Sequence, residues 1–420
     1  MTAMPRVSTG LGRAMSERLP AWSLFAAVLS GAGLPIYIYA PKYYADTFGV
    51  SLAALGAVLF GLRLLDVVQD PLLGWVAERL RRGRKLTIFA GSMLLAVSMI
   101  ALFAANPPLP PLLWFGLTIT GLFTAFSFLT ICFYGQGVAK AGVGGHIRLA
   151  AWRETGALLG VCIAAVVPTL LIGAVAAPFP TFAAGFAIMA LVAGGFMLSE
   201  WTAPIAADPT PIRTILSDRI ARRLMVLALV NAAPLAVSST LFLFFVESRL
   251  GAPGSEGPLL VLFFLAAAAS APIWSALARR YGQRPVLLSA MVLAVASFGF
   301  TYTLGTGDAA LFAVICVASG ATIGADLTLL PAMFAQRMAH VAPNGGQGFG
   351  LWSLVSKFTL ALAAVTVLPL LDLAGFTAGA ENGASALQML TVLYALVPSV
   401  LKLVAIGLLA ATDLEEGKTR

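Results

Sequence analysis

The chain has 420 residues, 60% of them hydrophobic and 10% charged, with a formal net charge of +8 and a mean hydropathy of +0.93. A soluble domain carries about a quarter charged residues, and no soluble fold of this length has interior enough for so much apolar surface. Lipid must therefore be part of the solvent, and no nucleic-acid partner is expected despite the basic balance.

Apolar runs of about 20 residues recur from end to end, the length a helix needs to cross about 30 Å of hydrocarbon. They are continuous rather than alternating, which points to helices and not to a barrel. The stretch before the first run carries Arg6, Arg13 and Arg18 but lacks a short apolar core with a cleavage site, and it reads as a cytoplasmic tail. Twelve segments follow, at 22–44, 51–77, 86–105, 109–134, 149–174, 179–201, 223–247, 257–279, 284–305, 308–336, 347–374 and 386–411. Turn-rich pieces such as Asn106-Pro107-Pro108 and Gly251-Ala252-Pro253-Gly254 punctuate them. Cys132, Cys162 and Cys316 all lie inside apolar runs, with no disulfide framework or metal-ligand spacing.

The even-numbered connections and both tails hold about 20 Lys and Arg, and the odd-numbered connections about two, Lys42 and Arg249. That asymmetry places both termini in the cytoplasm, which requires an even helix count. The longest polar connection divides the chain into two six-helix halves, residues 1–201 and 223–420, joined by a cytoplasmic linker at 202–222. The halves echo each other. After segment two come Pro71, Trp75, Glu78, Arg79, Gly83, Arg84 and Lys85; after segment eight come Pro272, Trp274, Arg279, Arg280, Gly282 and Arg284. Repetition of helix bundles at an offset of about 200 residues is a mark of alternating-access transporters.

Charges inside the membrane are expensive and need a partner or a task. Segment two carries Arg63, Asp66 and Asp70 within a wedge of about 60°, so all three share one face. Two carboxylates one turn apart suit Na⁺, or a proton if one of them is held neutral by the other's charge; a structural ion pair between Arg63 and Asp66 is the alternative. Pro71 frees the carbonyl of Val67 beside them. Lys357 lies too deep in segment eleven to reach water easily, and is expected to pair with Asp66 or Asp70 or to lock two helices. Arg153 opens segment five next to Glu154. Adjacent side chains on a helix point apart, so Arg153 is expected to reach toward segment two, as a gate or a structural residue. Asp326 in segment ten is expected to pair with Lys357 or Arg337, or to meet substrate. Ser30, Asn231, Tyr37 and Trp352 are candidates to line a cavity. Ser238, Ser239 and Thr240 are expected to bond their own backbone or a neighbouring helix, with substrate contact as the alternative. No P-loop and no nucleophile–base arrangement is visible, so no enzyme is expected.

The loop sequence Gly74, Glu78, Arg79, Gly83, Arg84 and Lys85 resembles the cytoplasmic loop motif of the major facilitator superfamily, with Glu where Asp is usual and one extra residue before the second Gly. The run Arg63-Leu-Leu-Asp66-Val-Val-Gln-Asp70-Pro71-Leu-Leu-Gly74 resembles the segment-two signature of the melibiose-permease family, the glycoside–pentoside–hexuronide:cation symporters. Tyr43-Tyr44-Ala-Asp46 with Gly49, Arg148 and Arg153, and Lys357 match that family too. The resemblance implies an all-α major facilitator fold of two six-helix bundles in the inner membrane. It also implies cation-coupled symport, with Asp66 and Asp70 binding the cation and Arg63, Arg153 and Lys357 balancing charge or gating. Two departures argue against a sugar substrate. The carboxylate the family places in segment one falls near Ser30, and segment four, Leu109 to Tyr134, has no acidic residue.

The expectation is thus a monomeric, multi-pass symporter of a small organic solute, its only ion a transported Na⁺ or proton, with no cofactor. A carrier of amphipathic or lipid-like solutes, or a non-transporting assembly factor on the same fold, stands as the alternative.

Overall fold

The structure, a computed structural model, describes residues 18–33, 39–141, 145–172, 174–201, 210–377 and 381–412. Among these the regular elements are all helical. Two compact units form. The first comprises Met1–Leu65, Gln69–Ile212 and Ala335–Gly350; the second comprises Asp66–Val68, Arg213–Phe334 and Leu351–Arg420.

The first unit begins with α1 (Leu19–Gly31) and α2 (Ala40–Phe48), which share the first predicted segment. They are followed by α3 (Leu52–Arg79), α4 (Arg84–Phe103), α5 (Pro111–Ala141), α6 (His146–Leu171) and α7 (Pro178–Met197). Ser51 caps α3 by accepting the N–H of Ala54 at 3.3 Å. Gly49 ends α2 in the left-handed region, at φ 66°. A short helix, α8 (Ile212–Ser217), lies within the predicted linker.

The second unit holds α9 (Arg219–Phe244), α10 (Glu256–Tyr281), α11 (Gln283–Gly299) and α12 (Ala309–Val341) as far as Phe334. It continues with most of α13 (Gly346–Leu373), then α14 (Ala384–Thr391) and α15 (Val397–Ala411). Asp218 caps α9, accepting from Ala221 N at 2.7 Å. A five-residue π segment, Val392–Leu396, joins α14 to α15, so the last predicted segment is interrupted rather than regular. Ten helices among the described residues are long and apolar enough to cross a membrane, and the 28-residue α3 covers predicted segment two.

Large apolar side chains lie on the outer surface of each unit: Val97, Leu113, Ile188 and Phe196 in the first, Val314, Val365 and Leu403 in the second. Exposed apolar surface spread over so many helices is what a lipid solvent selects, and the chain is a multi-pass membrane protein. The interiors are aromatic. In the first unit Trp22 and Phe25 both meet Phe133, with ring centroids 5.0 and 5.2 Å apart; in the second Phe245 stacks on Tyr394 at 4.1 Å.

Glycines set how closely helices cross. A Cβ at Gly156 or Gly160 of α6 would collide with the backbone carbonyls of Ser23 or Ala27 on α1. Glycine is the only residue that allows these two helices their separation, the close small-residue packing of membrane helices.

Candidate functional site

The segment-two face is built on α3. Asp70 is fully buried there, and α3 continues without a break through Pro71. One turn on, α3 meets the segment Ala335–Gly350 of the same unit at backbone distance. A Cβ at Gly74 would stand 2.9 Å from the Gly346 carbonyl oxygen, and one at Gly350 would stand 3.0 Å from the Asp70 carbonyl oxygen. Gly345 turns into this contact at φ 71°. The glycines of the loop motif thus divide by role. Gly74 is required by the approach of another backbone. Gly83 sits at φ −100°, and a Cβ there would meet only Thr87 Oγ1 at an ordinary 4.0 Å, so its position does not demand glycine.

Glu78 is the buried centre of that contact. Its carboxylate accepts the N–H of Gln347 at 2.8 Å and the N–H of Thr210 at 2.9 Å, and the residue has no exposed surface. Gln347 is the second residue of α13, so a negative charge stands where the helix has unpaired N–H groups and the positive end of its dipole. Arg79 is exposed and lies over the Trp75 ring, 4.3 Å from its centroid. Arg84 is buried and donates to Gln136 Oε1 at 2.6 Å. Gln136 in turn donates to the Glu200 carbonyl at 2.9 Å. The Glu200 side chain takes Trp22 Nε1 at 3.2 Å, with Lys140 at 3.6 Å and Arg18 at 3.8 Å. Gln136 and Glu200 escape a sequence reading, although a lone Glu closing an apolar run was a signal that could have found the second.

Arg153 corrects the expectation that it reaches segment two. Its Nε donates to Glu154 Oε1 at 2.8 Å, and its guanidinium lies over the Tyr134 ring, 3.6 Å from the centroid. Tyr134 also donates its hydroxyl proton to Glu154, at 3.0 Å. Adjacent Cβ atoms do point apart on a helix, but the arginine stem is long enough to bend its head group back. The aromatic ring supplied by α5 gives the flat guanidinium a surface to lie on. Both charges are buried, so each needs the other.

Asp326 corrects a second expectation. It pairs with neither Lys357 nor Arg337 but with Lys402 of α15. Lys402 also donates to Asn231 Oδ1 at 2.7 Å. All three are buried in the second unit and line one cavity of ≈ 70 Å³. Asn231 and Asp326 were both legible as polar residues in apolar segments. Lys402 has the same signature, a single charge within Leu401-Lys402-Leu403, and belonged with them. Ser238, Ser239 and Thr240 bond carbonyls of their own helix, as expected.

The other candidates lie on α1 and α13. Ser30 is half-buried on α1; Trp352 on α13 packs against Phe334 with centroids 4.8 Å apart; Lys357 is half-buried on α13. Tyr37 lies outside the described residues, as do the side chains of Arg63 and Asp66. Among the described residues no group of three or more His, Cys, Asp or Glu gathers as a metal cluster.

Comparison with known proteins gives the family. The chain is 30% identical over 205 residues to the probable nitrate/nitrite transporter NarK2 of Mycobacterium tuberculosis, from strains CDC 1551 / Oshkosh and ATCC 25618 / H37Rv. The match covers 46% of this chain and 47% of the relative, so the chain spans about half the length of the curated relatives it matches. In fold it resembles a bacterial homologue of the iron transporter ferroportin, crystallised in an outward-facing state. The TM-scores are 0.69, and 0.66 for the form with soaked iron, at 14% identity over 94% of this chain and 98% and 99% of those chains. A model of the MFS/sugar transport protein family matches residues 21–416. Over nearly its whole length, then, the chain belongs to the MFS/sugar transport protein family of the major facilitator superfamily.

Proposed function

We propose that the protein is a secondary active transporter of the inner membrane that moves a small organic solute by alternating access, coupled to Na⁺ or a proton, with twelve spans and both termini cytoplasmic. Asp66 and Asp70 take the cation, and Arg63 and Lys357 supply the opposing charge in the empty state. Arg153, held by Glu154 and Tyr134, is left a positioning role. The observation that carries the reading is the complete burial of Asp70 in the 28-residue α3, one turn from Asp66. A buried carboxylate in an apolar helix is costly enough that it marks an ion or proton pathway.

The test is uptake by proteoliposomes under a Na⁺ gradient or a pH gradient, with sugars, nitrate and nitrite (the solutes in the relative's name) and lysolipids as solutes. Wild type accumulates its solute under one gradient. Asp70→Asn loses accumulation but keeps solute exchange at equal concentrations. Accumulation that survives Asp70→Asn with its cation dependence unchanged refutes the site assignment.

One observation favours the amphipathic-solute alternative. A cavity of ≈ 390 Å³ lies between α1, α6 and α7, walled by Leu24, Val28, Ile163, Val167, Phe186 and Met189 among other apolar residues. Lysolipid accumulation with no response to sugars or nitrate would select that reading.

A further inference from the structure

The second unit holds a buried polar cluster of its own. Asp326, Asn231 and Lys402 come from α12, α9 and α15, and are 6%, 5% and 5% exposed. The cavity they line is otherwise walled mainly by apolar side chains, including Phe263, Val295 and Phe298.

Hydrogen-bond demand defines what would fit. Lys402 has three N–H donors; one goes to Asp326 Oδ2 and one to Asn231 Oδ1. Asp326 Oδ1 is buried and accepts from nothing. The nearby hydroxyls offer it no proton. Ser319 donates to the Ile315 carbonyl at 2.7 Å, Thr322 to the Ser319 carbonyl at 2.7 Å, Ser238 to the Pro234 carbonyl at 3.0 Å and Ser399 to the Ala395 carbonyl at 2.7 Å. The cluster therefore asks for one donor at Asp326, and holds out one ammonium N–H from Lys402 beside the Asn231 amide.

Charge then selects among ligands. The Asp326–Lys402 pair has no net charge. An added cation or anion would leave one unbalanced charge in an apolar interior, which is strongly unfavourable. A zwitterion adds none, and its dipole lies antiparallel to that of the pair. Its ammonium would take the unpartnered Asp326 oxygen, its carboxylate would take Lys402 and Asn231, and an apolar side chain would pack on the aromatic wall.

We propose that the second unit carries a binding site for a small zwitterion of the amino-acid class, its ammonium read by Asp326, its carboxylate by Lys402 and Asn231, and its side chain by the Phe263–Phe298 wall. This site is independent of the cation-coupling reading, since it is tested by binding without any gradient.

The experiment is isothermal titration of the detergent-purified full chain with L-valine and β-alanine. Isobutylamine, isovalerate and isobutanol serve as the cationic, anionic and neutral analogues. At least one zwitterion is expected to bind saturably and at least about tenfold more tightly than all three analogues, a difference of one charge-assisted contact or more. Asp326→Asn and Lys402→Gln are each expected to abolish it. Because either could disturb folding, Ala294→Phe, which fills the cavity and leaves the ion pair intact, is the second variant and is also expected to abolish binding. No binding of either zwitterion overturns the proposal. So does an analogue binding as well as the zwitterions, or zwitterion binding unchanged in Ala294→Phe.

Discussion

Glu78 allows a quantitative test of the contact that the loop motif builds. Its carboxylate accepts two backbone N–H groups, from Gln347 and Thr210, in a site closed to water. A hydrogen bond to a charged group is worth about 1.5–3 kcal/mol net, and a buried N–H left unpaired costs about 1–3 kcal/mol. A favourably placed charge at a helix terminus adds up to about 2 kcal/mol. Glu78→Gln keeps one carbonyl acceptor, turns an NH₂ toward the second N–H, and removes the charge, so a loss of about 2–4 kcal/mol is expected. Glu78→Ala leaves both N–H groups without that acceptor and should lose more. The molecule supplies its own reporters, because Cys132, Cys162 and Cys316 are all free and buried. A thiol-reactive fluorophore gains signal as they become accessible on heating. Glu78→Gln should lower the midpoint by about 2–5 °C, with Arg79→Gln, an exposed neighbour, as the control. A Glu78→Gln midpoint equal to wild type would show that the carboxylate does not hold the start of α13.

Two further perturbations read the packing and the buried charges. Gly160→Val should prevent α1 and α6 from closing, and is expected to give no monodisperse peak in size-exclusion chromatography. Gly185→Ala, which meets nothing within 4 Å, should leave the elution profile unchanged. Lys402→Met alone strands the Asp326 carboxylate and should cost about 3–5 kcal/mol. The double variant Lys402→Met/Asp326→Leu should recover most of it in the same thermal assay, and a double variant no more stable than the single would mean the ion pair does not share its environment as drawn.

Much of the architecture was legible from the sequence. Most apolar runs located their helices to within about seven residues, because a membrane-spanning helix must satisfy its own backbone and so declares its length; the first run holds two helices. The loop motif was legible because its residues are close in sequence. The candidate site divided on the same line. Asp70, Asn231 and Asp326 stood out since a polar group in an apolar run is conspicuous wherever it lies. Partners were harder. Arg153 was assigned across the bundle by a rule about Cβ directions, whereas Tyr134, nearly twenty residues earlier in the chain, made the adjacent Glu154 the better partner.

What only the tertiary structure decided was therefore pairing and proximity. Periodicity says which face of a helix is polar, but not which helix stands opposite. That choice depends on where backbones can approach, as Gly74 does Gly346 and Gly160 does Ala27. It brought Glu78 to the first turn of α13, and Lys402 from the last helix to Asp326 and Asn231, contacts 269, 76 and 171 residues apart in the chain. Membrane helices declare themselves one at a time because each is insulated by lipid. Their polar contacts do not, because a buried charge takes whatever partner packing delivers.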